Sequence, residues 1–175
     1  MVNARTGDWM QTFSGRQFWP LDPRPEEVFI EDIAHALSLL CRYGGHCVRF
    51  YSVAEHCVLM ADAAPLGLAR AALLHDASEA YLSDVIRPIK RYLGNYLECE
   101  KAIERAIADR FELEWPMPPF VKRMDDAMLA DESVQAMADP PKDWCLPEPK
   151  LGVTLQFWTS TRAEEEFLRR FKEFV

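Results

Sequence analysis

An imidazole and a carboxylate stand side by side in an otherwise apolar stretch of the chain. Residues 71–74 are alanine or leucine, and they lead directly into His75 and Asp76. Charged side chains are rarely buried without a partner, so a fold that buries this pair has to bring other polar groups or a cation to it. A divalent metal ion would be such a partner.

Apolar residues from Glu31 onward recur mostly at helical spacing, and glycine and proline clusters interrupt them. Two capping boxes, which begin at Ser52 and Thr161, predict helix starts. The predicted helices cover residues 31–43, 52–64, 68–81, 96–111, 120–137 and 161–174. Residues 153–158 could form one short strand. The pattern predicts an all-α helical bundle with little sheet.

Residues 1–30 show no helical period and are rich in glycine, proline, arginine and aromatic residues. They are predicted to form an extended arm laid over the domain, with at most a short hairpin. A helical core at 31–138 follows, and residues 139–175 add a proline-rich loop, the candidate strand and the last helix. A chain of 175 residues with 49% hydrophobic composition can bury a core, so we expect one domain.

The charge and the cysteines disfavour several classes of protein. A formal net charge of -8 argues against a nonspecific nucleic-acid binder, but it leaves a small anionic substrate open. The five cysteines are an odd number without a C-x-x-C pair, which disfavours a disulfide scaffold or a zinc knuckle. No stretch has the pattern of a signal peptide or a membrane span. We therefore expect a soluble, cytoplasmic protein.

Nitrogen and oxygen donors from three predicted helices are expected to converge in such a bundle. The four residues are His56, His75, Asp76 and Asp125. Their imidazole nitrogens and carboxylate oxygens suit zinc, cobalt, manganese or iron. A His-Asp pair alone is a weak signal, because a core histidine with a hydrogen-bond partner is more common. His35 is the fallback ligand if His56 fails, although the apolar helix face around His35 favours a core position.

Four segments resemble, in order and in local sequence, the HD-domain metal-dependent phosphohydrolases. They are residues 51–56, 74–79, 84–90 and 121–125. Within that family they are most similar to the YfbR-like bacterial 5'-deoxynucleotidases and to small phage enzymes that hydrolyse dATP. The resemblance covers about residues 33–132. It implies an HD-domain helical bundle and a hydrolase that uses a divalent metal ion.

The resemblance implies four metal ligands, His56, His75, Asp76 and Asp125. The implied metal is zinc, cobalt or manganese, and a second magnesium or manganese ion could accompany the substrate phosphates. Glu79 stands where the family places an acidic residue that handles the attacking water, one turn after His75. The alternative is a solvated helix residue. Asp84 matches a second acidic position near the sugar and the reacting phosphate, and it could equally cap the following turn. For Glu55, the capping box is a sufficient explanation.

The resemblance also implies contacts with a nucleotide. Arg42-Tyr43 aligns with an arginine–aromatic pair that contacts the nucleotide in YfbR-like enzymes. Tyrosine replaces the expected tryptophan there, which leaves discrimination between deoxyribose and ribose open. Lys90 and Lys122 would suit phosphate oxygens, and a surface position is the alternative for each lysine. His46 is expected in an exposed loop at the mouth of the site.

In the arm, Phe18 and Trp19 could stack on a base, as aromatic side chains do in nucleotide sites, with Leu21 beside them. In the phage enzymes the comparable arm contributes to adenine recognition. The alternative is a hydrophobic plug that fastens the arm to the bundle, which is more common for a Trp-Pro pair.

The first functional hypothesis is hydrolysis of a deoxynucleoside triphosphate, with dATP preferred. The alternative is removal of phosphate from a deoxynucleoside monophosphate, and the hypothesis from another class is a noncatalytic HD-like module for nucleotide binding or assembly. Small HD proteins often form dimers or hexamers, so we expect a homo-oligomer. Its interface, or equally the core, could include the C-terminal aromatic residues Trp144, Phe157, Trp158, Phe167, Phe171 and Phe174.

Overall fold

Eight α-helices account for most of residues 5–174, the part of the chain that this computed structural model describes. They are α1 (Ile30–Leu39), α2 (Val53–Ala63), α3 (Leu66–Leu73), α4 (Glu79–Leu82), α5 (Arg87–Lys90), α6 (Gly94–Phe111), α7 (Pro119–Gln135) and α8 (Ser160–Glu173). Short 3-10 turns cover Pro25–Glu27 and Arg42–Gly45. The predicted all-α fold with at most a short hairpin is confirmed.

The N-terminal arm folds into one small hairpin. Strand β1 (Met10–Gln11) pairs antiparallel with β2 (Gln17–Phe18). In the loop between the two strands, the backbone N–H and the hydroxyl of Ser14 donate to Asp32 of α1 at 2.6 and 2.9 Å. The arm is thereby tied to the first helix.

The phenyl ring of Phe18 fastens the arm to the core. It is fully buried and stacks on Tyr81 of α4, with ring centroids 3.9 Å apart. Phe18 therefore forms the hydrophobic plug. The prediction that this ring stacks on a base is wrong, because no face of the ring is exposed.

Helix α2 lies at the centre of the bundle, packed against α1, α3, α7 and α8. Residues 53–58 of this helix are buried without interruption, including the charged pair Glu55 and His56. The predicted cap at Ser52 is confirmed, since its hydroxyl accepts from the backbone N–H of Glu55 at 3.1 Å. This cap sets where the helix begins, so it also sets the depth at which His56 enters the core.

The chain between residues 68 and 81 is not one helix, contrary to the prediction. Helix α3 ends at Leu73, residues 74–78 form turns, and α4 starts at Glu79. The imidazole Nδ1 of His75 lies 2.8 Å from the carbonyl oxygen of Ala72, which a continuous helix would use for the next turn. The His75-Asp76 pair therefore lies in a turn between two helices.

The carboxylate of Glu55 anchors the C-terminal part of the chain. It accepts the backbone N–H groups of Gln156, Phe157 and Trp158 at 2.7, 2.8 and 2.7 Å. Two predictions are corrected by this contact. Residues 153–158 pair with no strand in the described part of the chain, and the carboxylate of Glu55 does not serve the capping box.

The last helix begins slightly earlier than predicted. Thr159, rather than Thr161, caps α8, because its hydroxyl accepts from the backbone N–H of Arg162 at 3.3 Å. Among the C-terminal aromatic residues, Phe167 is buried in the core and Phe171 packs edge-on against Phe111 at 5.2 Å. No helix among residues 5–174 has both the length and the apolar character needed to span a bilayer.

Candidate metal centre

Two imidazoles and two carboxylates meet where α2, α7 and the turn after α3 come together. The Nε2 atoms of His56 and His75 are 3.2 Å apart. Asp76 Oδ2 lies 3.1 Å from His75 Nε2 and 3.7 Å from His56 Nε2, and Asp125 Oδ1 lies 3.4 Å from His56 Nε2. His56 is fully buried and the other three are nearly so, with Asp76 the most exposed. The cluster therefore opens to solvent over Asp76.

These separations fit a shared cation. Ligand atoms about 2.1 Å from one ion lie about 3.0 Å apart at right angles and about 3.4 Å apart at the tetrahedral angle. Distances of 3.1, 3.2 and 3.4 Å among these atoms fall within that range. The distances from His56 Nε2 to Asp76 Oδ2, 3.7 Å, and from His75 Nε2 to Asp125 Oδ1, 3.9 Å, exceed it. The buried group His56, His75 and Asp125 could hold a metal ion.

The hydrogen bonds behind the two rings determine which nitrogen faces the cluster. Nδ1 of His56 lies 2.7 Å from Glu132 Oε1, and Nδ1 of His75 lies 2.8 Å from the carbonyl oxygen of Ala72. A carboxylate and a carbonyl only accept hydrogen bonds, so both Nδ1 atoms carry the proton. The two Nε2 atoms then face each other across 3.2 Å, so either a proton on one ring or a metal cation between them has to satisfy the pair.

The carboxylates of the cluster are held in the charged form. Burial alone would raise the pKa of Asp76, but the His75 imidazole beside it holds that pKa well below its usual value. Burial likewise opposes ionisation of Asp125, and the two imidazoles keep the pKa of Asp125 low. Burial by itself would lower the pKa of His75, yet Asp76 raises it well above its usual value. The site is therefore electron-rich and attracts positive charge.

A second possible trio, Cys57 with His75 and Asp76, is a poorer metal site. The Cys57 sulfur lies 3.9 Å from Nδ1 of His75, the nitrogen that donates to Ala72. Burial raises the pKa of the Cys57 thiol, and the thiolate is the form that binds metals. The centre on the Nε2 side of His75 is therefore the one that fits.

Glu132 is a part of the site that the sequence reasoning missed. It is fully buried on α7, where one oxygen accepts from His56. Its other oxygen accepts from Arg42 Nη2 at 3.0 Å and from the hydroxyl of Tyr43. Burial opposes the charge of Glu132, but Arg42 and His56 lower its pKa to about 2. The signal in the sequence was spacing, because Glu132 follows Asp125 by two helical turns and so shares its face.

The predicted substrate residues Arg42 and Tyr43 lie behind the cluster. The Arg42 guanidinium is buried, and its Nη1 is 3.5 Å from Asp76 Oδ2. The Tyr43 ring is partly exposed, although its hydroxyl is engaged by Glu132. Both side chains support the cluster, and Tyr43 alone of the two has surface left for a ligand.

Glu79, the first residue of α4, is only 5% exposed. Its Oε2 atom is the buried carboxylate oxygen that has no hydrogen-bond partner among the described residues. Burial, together with the charges of Asp76 and Asp84, raises the pKa of Glu79 well above its usual value. A buried carboxyl group with a free oxygen beside a metal centre can exchange protons there. The alternative of a solvated helix residue does not describe this position.

Asp84 and Lys90 lie on the same side as Glu79. Burial raises the pKa of Asp84, which is partly exposed, and the following helix α5 has no side-chain cap. Lys90 Nζ lies 2.6 Å from Glu100 Oε1, so a phosphate would share this ammonium group with that carboxylate. The side-chain cap of the following turn is therefore not formed, while the contact of Lys90 with a phosphate stays a prediction.

The outer oxygen of Asp125 is held by two cations. Arg87 Nη2 donates to Asp125 Oδ2 at 2.7 Å and Lys122 Nζ donates to it at 2.8 Å. Both cations also bond Asp126 Oδ1, at 2.8 and 2.7 Å. They remain half or more exposed, at 50% and 62%, so each has donors for another anion. Lys122 was a predicted phosphate contact, whereas Arg87 was not assigned a role.

The remaining predicted residues lie away from the cluster or have other contacts. Trp19 is partly buried under the guanidinium of Arg5 at 4.1 Å, and Leu21 is exposed. His35 stacks on Phe13 with ring centroids 3.6 Å apart and bonds Glu164, so it is not the fallback ligand. His46 is exposed beyond the Arg42–Gly45 turn, as its expected loop position implied.

Comparison with known proteins gives two relatives of high coverage. The Escherichia coli protein YfdR, named as uncharacterized, is 39% identical over 136 residues, which make up 78% of this chain and 76% of YfdR. An uncharacterized protein of Rhodobacter capsulatus is 38% identical over 138 residues, or 73% of this chain and 69% of that protein. No protein-family model matches the chain. At this identity and coverage, the chain belongs to the same protein family as YfdR.

Proposed function

We propose that this protein is a metal-dependent phosphohydrolase that cleaves phosphate ester or anhydride bonds of small deoxynucleotides. One observation carries the proposal: the Nε2 atoms of two imidazoles lie 3.2 Å apart, beside two ionised carboxylates. A shared proton or a metal cation satisfies such an arrangement, and this convergence of nitrogen and oxygen donors is typical of a metal site. The resemblance of the surrounding segments to the HD-domain phosphohydrolases supplies the reaction class.

Zinc, cobalt and manganese suit the donor set of two nitrogens and two oxygens. The residues that would hold the ion are His56, His75, Asp76 and Asp125. When bound, the metal supplies a Lewis acid that acidifies water and neutralises charge on phosphoryl oxygens. Glu132 and Ala72 orient the two imidazoles for this purpose.

Glu79 is the proposed proton-transfer residue. Hydrolysis forms a bond from a water oxygen to phosphorus and breaks the bond to the leaving oxygen, while a proton moves from the water to that leaving oxygen. Glu79 Oε2 is buried and unpartnered among the described residues, so it can accept the proton and pass it on. Asp84, partly buried nearby, would contact the sugar.

Arg87 and Lys122 provide positive charge for the phosphates. Each is exposed beside Asp125, at the edge of the centre, in a chain whose formal net charge is -8. Charge-assisted hydrogen bonds from such donors are the usual means of binding phosphate oxygens. We take a deoxynucleoside triphosphate, dATP first, as the substrate, with a monophosphate as the alternative. Of the arm residues predicted to contact a base, Trp19 and Leu21 still have exposed surface.

The test is a product assay with controlled metal content. The purified protein is stripped with a chelator, loaded with Mn²⁺, Co²⁺ or Zn²⁺, and incubated with each dNMP, dNTP and rNTP. Chromatography then separates nucleosides, nucleotides, phosphate and tripolyphosphate. Asp125→Asn should abolish turnover. Asp131→Asn on the same helix is the matched control, because Asp131 is buried and its carboxylate accepts from the backbone N–H of Gly152 rather than from a proposed ligand.

Turnover by wild type and the control variant, but not by Asp125→Asn, supports the proposal. Absence of turnover of every nucleotide with every metal, in a folded protein, would refute the enzymatic function. Nucleotide binding that His75→Ala leaves unchanged, again without turnover, would instead favour a noncatalytic binding module.

A further inference from the structure

We propose that Glu132 is a positioning residue: its carboxylate holds His56 in the tautomer that can bind metal and joins the metal centre to the Arg42–Gly45 turn. The inference rests on metal binding at the proposed centre. It assigns a role to a residue that lies outside the ligand set and contacts neither solvent nor substrate.

The two oxygens of Glu132 serve two different parts of the molecule. Oε1 lies 2.7 Å from His56 Nδ1, on the side of the metal centre. Oε2 accepts from Arg42 and from the Tyr43 hydroxyl, on the side of the turn. No part of Glu132 is exposed, so water cannot replace either set of contacts. A single carboxylate therefore links both structures.

These contacts require a side chain whose two terminal atoms both accept hydrogen bonds. Arg42 and the Tyr43 hydroxyl both donate toward Oε2, so whatever occupies that position has to be an acceptor. In Glu132→Gln the amide oxygen would take this position, and the amide NH2 group would face His56. His56 Nδ1 would then have to accept, and the proton would move to Nε2. The substitution thus converts the ligand nitrogen into an N–H group that cannot bind metal.

The turn needs the same carboxylate for its backbone shape. Tyr43 has a left-handed φ of 56°, a conformation that residues other than glycine rarely adopt. Two glycines with positive φ follow it. The bonds from Tyr43 and Arg42 to Glu132 hold this shape in place. Because metal binding and turn geometry share one group, each is expected to favour the other.

Cobalt provides a direct readout, because its visible absorption reports the ligands around it. Co²⁺ is titrated into stripped wild type, Glu132→Gln and the control Asp131→Asn, and Zn²⁺ affinity is measured by competition with a chelator. Partners that orient metal-binding histidines typically contribute a factor of about 10–100 in affinity. We expect a loss of that size and an altered Co²⁺ spectrum for Glu132→Gln. Asp131→Asn should lower thermal stability and leave both metal readouts unchanged.

Each result has one meaning. If wild type fails to bind Co²⁺ and Zn²⁺, the proposed metal centre is refuted. If wild type binds both metals and Glu132→Gln matches it in affinity and spectrum, the role of Glu132 is refuted and the metal centre stands.

Should Glu132→Gln not fold, nitrogen NMR of zinc-loaded wild type decides the question. The proposal requires a proton on His56 Nδ1 and zinc on Nε2. The reverse assignment would overturn it.

Discussion

Replacing Phe18 tests whether the arm is anchored by its aromatic ring. Phe→Ala changes at fully buried sites typically destabilise by about 3–5 kcal/mol, because apolar contacts are lost and a cavity remains. Stacking on Tyr81 at 3.9 Å places Phe18→Ala toward the upper half of that range, since aromatic pairs add about 0.5–1.5 kcal/mol. Phe18→Leu keeps most of the apolar volume and should cost about 1–2 kcal/mol.

Phe13 is the matched control, because it is also an arm phenylalanine stacked on a ring but is 59% exposed. Because only the smaller part of the Phe13 side chain is buried, Phe13→Ala should lower the free energy of unfolding by about 1 kcal/mol. Urea unfolding followed by circular dichroism, with a chelator present so that metal binding adds nothing, measures all three changes. Equal small losses for Phe18→Ala and Phe13→Ala would refute the anchoring role. Unchanged nucleotide preference in Phe18→Leu is also expected, because this ring does not reach a base.

Three further changes follow from contacts in the bundle. Glu55→Gln places an amide NH2 group against a backbone N–H. The free energy of unfolding, measured with urea, should therefore fall by about 1–3 kcal/mol. An unchanged value would contradict the anchoring contact. Burial and the neighbouring Glu100 raise the pKa of Glu104 to about 7, so the folded state retains a proton that the unfolded state releases above about pH 4.5. Stability therefore falls as pH rises from about 4.5 to about 7. Glu104→Gln should have a higher melting temperature than wild type at pH 8 and the same melting temperature at pH 4. Equal melting temperatures at both pH values would contradict this pKa. Arg87→Ala should lower kcat/KM for a nucleotide by about 10-fold or more, whereas an unchanged value would remove Arg87 from phosphate binding.

Local signals in the sequence predicted where the long helices lie, but not that α1 ends at Leu39 or that the short helix α5 forms in the predicted loop. The cap at Ser52 was readable because a cap involves residues three positions apart. The break at residues 74–78 was not readable from periodicity, since the apolar pattern continues through it. At this break the side chain of His75 contacts the backbone carbonyl of Ala72, a kind of contact that can compete with helix continuation. Residues 153–158 alternate like a strand, yet their N–H groups bond a carboxylate from α2.

The residues of the candidate site also fall into those that the sequence predicted and those that it did not. Motif resemblance identified the four residues that the structure brings together, but not the groups that orient them. Glu132 bonds residues 76 and 90 positions earlier in the chain. Its helical spacing from Asp125 indicates the face on which it lies, but not these partners. Phe18 was ambiguous for a related reason, because a buried plug and an exposed stacking face have the same side chain. Depth below the surface decides between them, and depth depends on the whole fold.

The anchoring of the last segment on Glu55 has a consequence for the order in which the protein matures. Glu55 directly precedes His56, and the partners of its carboxylate are residues 156–158. During synthesis, every proposed metal ligand emerges before those partners do. The helix that carries His56 thus gains its last tether only after residue 158 has left the ribosome, so stable metal loading is expected only once residues 156–158 are available.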